Sequence, residues 1–296
     1  MKKGMIDMQQ QITIDFVKSL LKPRSRDAHK YSVGVVTCVC GSYGMAGALI
    51  FSAKAALRCG VGMVRVFVPD LIYPIVAQAV PEAVFHPAKG ETLSVIGADT
   101  ILSSVKKMDT LLVGPGLGVS SDVQTLVNCL IKNATGSIIL DADGLNALAK
   151  HLDTLTGRDN SKLVITPHLG EMERLTGIPA EVIAQDKPRF AADFSKKYGL
   201  ITVLKGPDTV VASPTGKVMV NTTGNPGMAV GGSGDVLAGM IASLTTQGLE
   251  PFDAAVTGVF LHGLAGDYAA RRLSQTAMLP SDMIDELPEI FKELKL

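Results

Sequence analysis

The chain has no net charge to offer a polyanion: 28 lysines and arginines balance 28 aspartates and glutamates over 296 residues. Nucleic-acid binding draws on an excess of basic side chains that displace counterions, so nucleic acid is not expected as the main partner. No uninterrupted apolar run is long enough to span a bilayer, although 47% of the residues are hydrophobic. The start, MKKGMIDMQQQ, has two lysines without the apolar stretch that a secretory signal needs. A cytoplasmic chain with no membrane partner is therefore expected. Only four cysteines occur. Cys38 and Cys40 alternate along one strand pattern, Cys59 and Cys129 fall in helical patterns, and no C-x-x-C or His pair at ligand spacing accompanies them. Buried reduced thiols are expected, with no disulfide framework and no side-chain metal site.

Familiar nucleotide and hydrolase signatures are missing too. No glycine loop ends in G-K-[ST], none reads G-x-G-x-x-G, and neither Ser42 nor Ser233 sits in G-x-S-x-G. The absence of repeats, low-complexity tracts and linkers predicts one domain over residues 1–296, with 1–28 supplying an N-terminal helix and a polar connection.

What is present is a recurring strand, glycine loop and helix. Val35–Val39 leads to GSYGMAGA and a helix to about Cys59; Thr110–Val113 leads to Gly114-Pro115-Gly116-Leu117-Gly118 and a helix near Asp122–Ile131. Ser137–Leu140 ends in Asp141-Ala142-Asp143-Gly144, and Leu163–Thr166 in Pro167-His168-Leu169-Gly170-Glu171. Arg65–Val68 is a further strand. This alternation predicts an α/β fold, a mostly parallel sheet with helices on both faces and ligands outside the carboxyl ends of its strands. Ile201–Lys205, Thr209–Ser213 and Lys217–Asn221 are joined by tight turns and predict an antiparallel edge. Helices over Phe252–Leu273 and about Ser281–Lys295 follow.

The stretch Asn221–Met240, NTTGNPGMAVGGSGDVLAGM, is the most informative. A glycine-rich loop gives way at Asp235 to the helical spacing Val236, Leu237, Met240, Ile241, Leu244. Unpaired amides and the dipole at such a helix start stabilise an anion, most often phosphate. Gly231, Gly232 and Gly234 are expected to take positive φ or to let backbone approach a ligand. Asp235 is then either an N-cap or a base beside a transferred phosphate; a cap needs one short polar side chain and leaves GNPGMAVGGSG unexplained, which favours the base. Elsewhere Asp141 and Asp143 are a metal pair or, for Asp143, an N-cap. His168 is a ligand contact or a surface loop residue, Glu171 orients water or metal or complements a helix dipole, and His262 is packing or a subunit contact.

Five motifs in order, GSYGMAGA, Gly114–Gly118, Thr166-Pro167-His168-x-Gly170-Glu171, Lys205-Gly206-x-x-Thr209 and GNPGMAVGGSGDVLAGMI, resemble the ADP-dependent NAD(P)H-hydrate dehydratases of the ribokinase-like superfamily. The resemblance runs from about His29 to the C-terminus. It implies repair of (6S)-hydrated NADH or NADPH, with ADP as phosphoryl donor converted to AMP and phosphate, and Mg²⁺ on the ADP phosphates. It implies Asp235 as catalytic base touching the substrate, Ala48, Gly116 and His168 as further substrate contacts, and Lys205, Gly206, Pro207, Asp208, Thr209 and Gly234 as nucleotide contacts. Gly231, Gly232, Ser233 and Gly234 would form the anion hole. Tyr31 and Cys40 stand where relatives commonly have glycine. A homo-oligomer is expected, and because few residues precede His29, the epimerase that some relatives carry in front is expected as a separate chain. A small-alcohol kinase of the same superfamily would use the same loop and base but release a phosphate ester, and a nucleotide-binding module without catalysis would not need Asp235.

Overall fold

Short runs of Val, Ile and Leu with almost no polar interruption cannot face water on either side, and they form the middle of the sheet. The computed structural model describes residues 10–296. Its strands are β1 (Gln10–Gln11), β2 (Val35–Val39), β3 (Met63–Pro69), β4 (Val84–Ala88), β5 (Thr110–Val113), β6 (Ser137–Leu140), β7 (Leu163–Ile165), β8 (Ile201–Leu204), β9 (Thr209–Ala212) and β10 (Val218–Asn221). They pair in the order β1-β10-β9-β8-β7-β6-β5-β2-β3-β4. Only β9 runs antiparallel to its neighbours β8 and β10. β1 then adds outside β10 in parallel, so the hairpin region lies one strand in from the edge.

Side chains alternate across the sheet with the period of a strand. Val36, Cys38, Leu112 and Ile139 enter one core, while Val39, Leu111, Val113, Ile138 and Leu140 enter the other. The first core is closed by helices Ala46–Arg58, Ser233–Thr246, Pro251–Leu273 and Pro280–Glu293; the second by Ser121–Asn133, Leu169–Thr176 and Lys187–Tyr198 among others. Cys38, Cys40 and Cys59 are buried free thiols and Cys129 is half-buried and free. Among the described residues no helix is long and apolar enough to cross a membrane.

Two features fix the site. The chain turns outward from β2 through β3 to β4, then returns to the other side of β2 at β5, so the strand order reverses between β2 and β5. Loops leaving neighbouring strands at such a point diverge and open a crevice. Second, helix Ser233–Thr246 is buried along nearly its whole length. It lies so close to Ala46–Arg58 that a Cβ on Gly239 would stand 2.2 Å from the Ser52 carbonyl oxygen. The two helices are thereby locked together.

Several local expectations are corrected. This helix begins at Ser233, not Asp235: Gly232, at φ +98°, is its N-cap, and Asp235 lies in the first turn without a capping hydrogen bond. Of Gly231, Gly232 and Gly234, only Gly232 adopts positive φ. Asp143 is the first residue of helix Asp143–Ala149, not its cap; Ala142 holds that place at φ 51°. Strands β1 and β4 and helices Ala98–Ser104, Ala180–Gln185 and Lys187–Tyr198 were not expected.

Candidate active site

The segments at the ends of β2, β5, β6, β7 and β8 are stitched to one another by backbone hydrogen bonds that continue the ladder past the strands. Gly41 N–H donates to the Pro115 carbonyl at 2.8 Å, Asp141 N–H to Val113 at 3.1 Å, and Lys205 N–H to Pro167 at 2.8 Å. Gly114 is required in this stack, because a Cβ there would lie 1.8 Å from the Asp141 carbonyl oxygen. Asp141 is thus presented at the tip of β6 next to a strained neighbour: the positive φ of Ala142 is uncommon for a residue with a Cβ.

Beside these tips opens a cavity of about 1020 Å³. Asp141, His168 and Glu171 line one side, the Lys205–Thr209 turn a second, the Asn221–Val230 loop a third, and Ser233, Gly234, Asp235 and His262 the base. The turn takes its shape from Gly206 at φ +136° and Asp208 at φ 53°. Thr209 Oγ1 closes it onto the Gly206 carbonyl at 2.8 Å. Lys187, from helix Lys187–Tyr198, donates to the carbonyls of Pro207 and Asp208.

A charge cluster lies at the junction of these walls. Asp141 is 1% exposed, and its Oδ1 accepts from Thr166 Oγ1 and from Lys205 Nζ, both at 2.7 Å. Lys205 Nζ also lies 3.8 Å from Glu171 Oε2. A Cβ on Gly234 would be 3.3 Å from Nζ and 3.8 Å from Asp141 Oδ2, which puts the helix start directly against the pair. Burial works to lower the pKa of Lys205, yet Asp141, Glu171 and Asp235 outweigh it and hold the ammonium above its ordinary value. The lysine therefore neutralises protein carboxylates before any ligand arrives.

Three carboxylates around one lysine leave negative charge in excess, and it falls on the less well partnered pair. Asp235 is pushed up to about 7, first by burial and then by Asp141, with Lys205 opposing. Glu171 is likewise pushed up to about 7 by burial, with Lys205 opposing and Asp141 adding. Among the described residues nothing donates a hydrogen bond to the Asp235 carboxylate, whereas its backbone carbonyl accepts from Ser52 Oγ at 3.2 Å. Its side chain is left for whatever occupies the cavity.

Other expected residues take definite places. His168 is the N-cap of Leu169–Thr176: its Nδ1 accepts from the Gly170 and Glu171 amides, and Glu171 Oε2 accepts from the His168 amide at 2.8 Å. This reciprocal cap gives Glu171 its helix-end role, and the other ring nitrogen of His168, Nε2, lies 3.4 Å from Glu171 Oε1. Ala48 and Gly116 do not line that cavity; they pack on each other across the loops after β2 and β5, with a Gly116 Cβ 2.9 Å from that of Ala48. Of the four expected anion-hole residues, Ser233 and Gly234 line the cavity and Gly231 and Gly232 do not. A Gly232 Cβ would instead meet the Phe51 ring at 2.7 Å. Tyr31 is exposed on a short helix, and Cys40 is buried with Sγ 3.6 Å from the Leu112 carbonyl. The sequence reading missed the Asp141–Lys205 pairing, the bracing Lys187 and the cavity position of His262. Asp141 and Lys205 each left a signal, a place at a strand end, but nothing in the sequence pairs them.

The family model described as NAD(P)H-hydrate dehydratase matches residues 36–289. A bifunctional NAD(P)H-hydrate repair enzyme of Moorella thermoacetica is 41% identical over 96% of this chain and 54% of its own length; the chain spans about half the length of such bifunctional relatives. An ADP-dependent (S)-NAD(P)H-hydrate dehydratase of Neisseria meningitidis is 37% identical over 84% of this chain and 81% of its own. The crystal structure of an ADP/ATP-dependent NAD(P)H-hydrate dehydratase from Bacillus subtilis, co-crystallised with ATP and Mg²⁺, covers 97% of this chain and 99% of its own at TM-score 0.83 and 27% identity. A ribokinase-like superfamily protein of Enterococcus faecalis covers 97% and 96% at TM-score 0.85 and 28% identity. With 254 consecutive residues inside the family model and a ribokinase-like α/β sheet around the site, the chain belongs to the NAD(P)H-hydrate dehydratase family.

Proposed function

We propose that the protein dehydrates (6S)-hydrated NADH and NADPH at the expense of ADP, giving AMP and phosphate. The observation that carries this reading is Asp235: a half-buried carboxylate with a pKa pushed up to about 7, unpartnered, in the first turn of a helix whose start faces the cavity. A general base works best when its pKa lies near the working pH. An N-terminal helix turn is where phosphate is stabilised.

Water cannot leave the hydrated ring easily, because hydroxide is a poor leaving group. Asp235 takes the proton of the ring hydroxyl as that oxygen attacks the β-phosphorus of ADP; the phosphorus–oxygen bond to AMP breaks and a ring phosphate ester forms. Electrons from the ring nitrogen then expel phosphate, a proton leaves the neighbouring carbon, and the reduced nicotinamide is restored. The protein's part is positioning and charge stabilisation. The Lys205–Thr209 turn holds the nucleotide, the Gly234 amide donates to a phosphate oxygen while that of Ser233 is engaged by the Val230 carbonyl, and Ala48, Gly116 and His168 contact the dinucleotide.

Mg²⁺ supplies charge neutralisation on the phosphates. Among the described residues no three His, Cys, Asp or Glu side chains group to hold a metal, which fits an ion carried on phosphates and water. Asp141, whose Oδ1 is engaged while Oδ2 faces the start of the Ser233 helix, and Glu171 are the carboxylates that would meet its water shell.

Purified protein with hydrated NADH and Mg²⁺ should restore the reduced nicotinamide absorbance only when adenine nucleotide is added, with free phosphate appearing in step. Full-rate dehydration without nucleotide would overturn the reading, and an accumulating phosphate ester would favour a kinase.

The placement of Lys205 also ranks two variants. Its charge is spent on Asp141, whereas Gly206 holds a φ that a β-branched residue rarely adopts. Gly206→Val is therefore expected to weaken ADP binding more than Lys205→Met does, measured by calorimetric titration of the folded variants. The reverse order would make Lys205 a phosphate clamp.

A further inference from the structure

Helix Pro251–Leu273 carries more polar chemistry against the glycine-rich loop than packing requires. Thr223 Oγ1 donates to the Phe260 carbonyl at 3.0 Å. The Gly224 amide and the Asn225 side chain donate to the two oxygens of Asp267 at 2.9 and 3.0 Å. Gly263 and Gly266 let the loop lie on the helix, since a Cβ on either would meet Thr223 or Met228 within 2.3 Å. Residues 260–267 thus hold the first half of the loop in register. His262, in the same segment, reaches its far end: Nε2 lies 3.4 Å from Ser233 Oγ, at the first residue of the Ser233 helix.

His262 is 8% exposed and lines the cavity with Ser233. Its partner is a hydroxyl, which has one proton to give. If the imidazole accepted that proton, oxygen lone pairs would face the anion site. If the imidazole donates its own N–H, the hydroxyl proton is free to point at the anion. We propose that His262 is a positioning residue whose Nε2–H donates to Ser233 Oγ, turning the Ser233 hydroxyl to donate to a phosphate oxygen of the bound nucleotide. The ring acts without charge: burial pulls its pKa down to about 4, a hydrogen bond with the Ser233 backbone opposes this, and Lys205 adds to it. A neutral imidazole gives the hydroxyl direction without adding a cation beside Lys205.

This rests on the nucleotide reading above, and its readout is ADP affinity rather than turnover, so the two fail separately. A wild-type chain that binds ADP without restoring NADH overturns the reaction and leaves this test intact. The comparison is between His262→Asn, whose amide is too short to reach Ser233, and His262→Gln, whose amide N–H reaches the place of Nε2. Both are polar replacements of one buried residue, so a purely structural role predicts the same ADP affinity for the two, whatever their melting temperatures.

Calorimetric titration with ADP and Mg²⁺ should show roughly tenfold weaker binding for Ser233→Ala and for His262→Asn, the loss of one charge-assisted hydrogen bond. The double variant should bind no more weakly than Ser233→Ala alone, and His262→Gln should recover most of the affinity. Unchanged binding in Ser233→Ala, equal affinities for the Asn and Gln variants, or a further tenfold loss in the double variant would each overturn the proposal.

Discussion

Asp235→Asn should lose roughly 10²–10⁴-fold in turnover at saturating ADP, the range typical of a lost general base, while binding ADP and remaining folded. An amide of nearly the same shape cannot take up the proton that the ring hydroxyl must shed. The competing reading as a helix cap predicts a loss of stability of about 1 kcal/mol and a near-normal rate. The structure separates the two beforehand, because Gly232 is the cap and the Asp235 side chain bonds no backbone amide of its helix. Ionised Asp235 in fact works against the fold. Its pKa is about 7 in the folded chain, above the ordinary carboxylate value, so the cost is absent below that ordinary value, accumulates as pH rises toward 7, and is complete above it. The variant escapes this cost and gives up a dipole interaction of about 0.3–1 kcal/mol. Its melting temperature relative to wild type should therefore improve between pH 4 and 7 and then stay level. In the wild type, turnover should rise with pH through about 7 as Asp235 loses its proton. Reduced melting temperature with near-normal turnover would return Asp235 to a structural role.

Lys205→Met should destabilise the chain by about 3–5 kcal/mol, the cost of breaking a buried ion pair from one side. Asp141 is buried and would keep only Thr166 as a hydrogen-bond donor. Asp235 would lose the cation that lowers its pKa, and Glu171 the stronger of its two, Arg174 being the other. Both would then shift further upward. A carboxylate with a raised folded-state pKa costs stability once pH exceeds its unfolded value, and the added shift from losing Lys205 extends that cost above pH 7. Denaturant unfolding of variant and wild type at pH 5 and pH 8 should therefore show the larger deficit at pH 8. Equal deficits at both would mean that Lys205 contributes packing rather than charge.

The parts of the fold that could be read from sequence are those set by local chemistry. β2, β5 and β6 are runs such as Val35-Val36-Thr37-Cys38-Val39, buried on both faces, and their glycine and aspartate endings mark the mouth. β4 escaped notice because Val84-Phe85-His86-Pro87-Ala88 is an exposed edge with a histidine and a proline, neither a continuous apolar run nor a clean alternation. The start of the Ser233 helix was misplaced by two residues because Ser-Gly looks like loop, while the left-handed Gly232 that ends the loop is a backbone property. Asp235 could be found, since a carboxylate after a glycine loop is a local pattern. Its raised pKa could not, because that comes from burial in the packed fold and from Asp141, Asp143 and Glu171, which follow other strands, with Lys205 opposing. Asp141 and Lys205 are 64 positions apart and Ser233 and His262 are 29 apart, and only the packed sheet and helices bring each pair together.

The central claim is that phosphoryl transfer to the ring hydroxyl precedes elimination. It is tested most directly by hydrated NADH carrying oxygen-18 in that hydroxyl, incubated with the protein, ADP and Mg²⁺, with the inorganic phosphate analysed by mass. If the hydroxyl oxygen attacks phosphorus and leaves with it, each phosphate released carries one oxygen-18, in step with AMP and NADH. Label in the solvent water and unlabelled phosphate would show that the hydroxyl leaves without being phosphorylated, and would contradict the account.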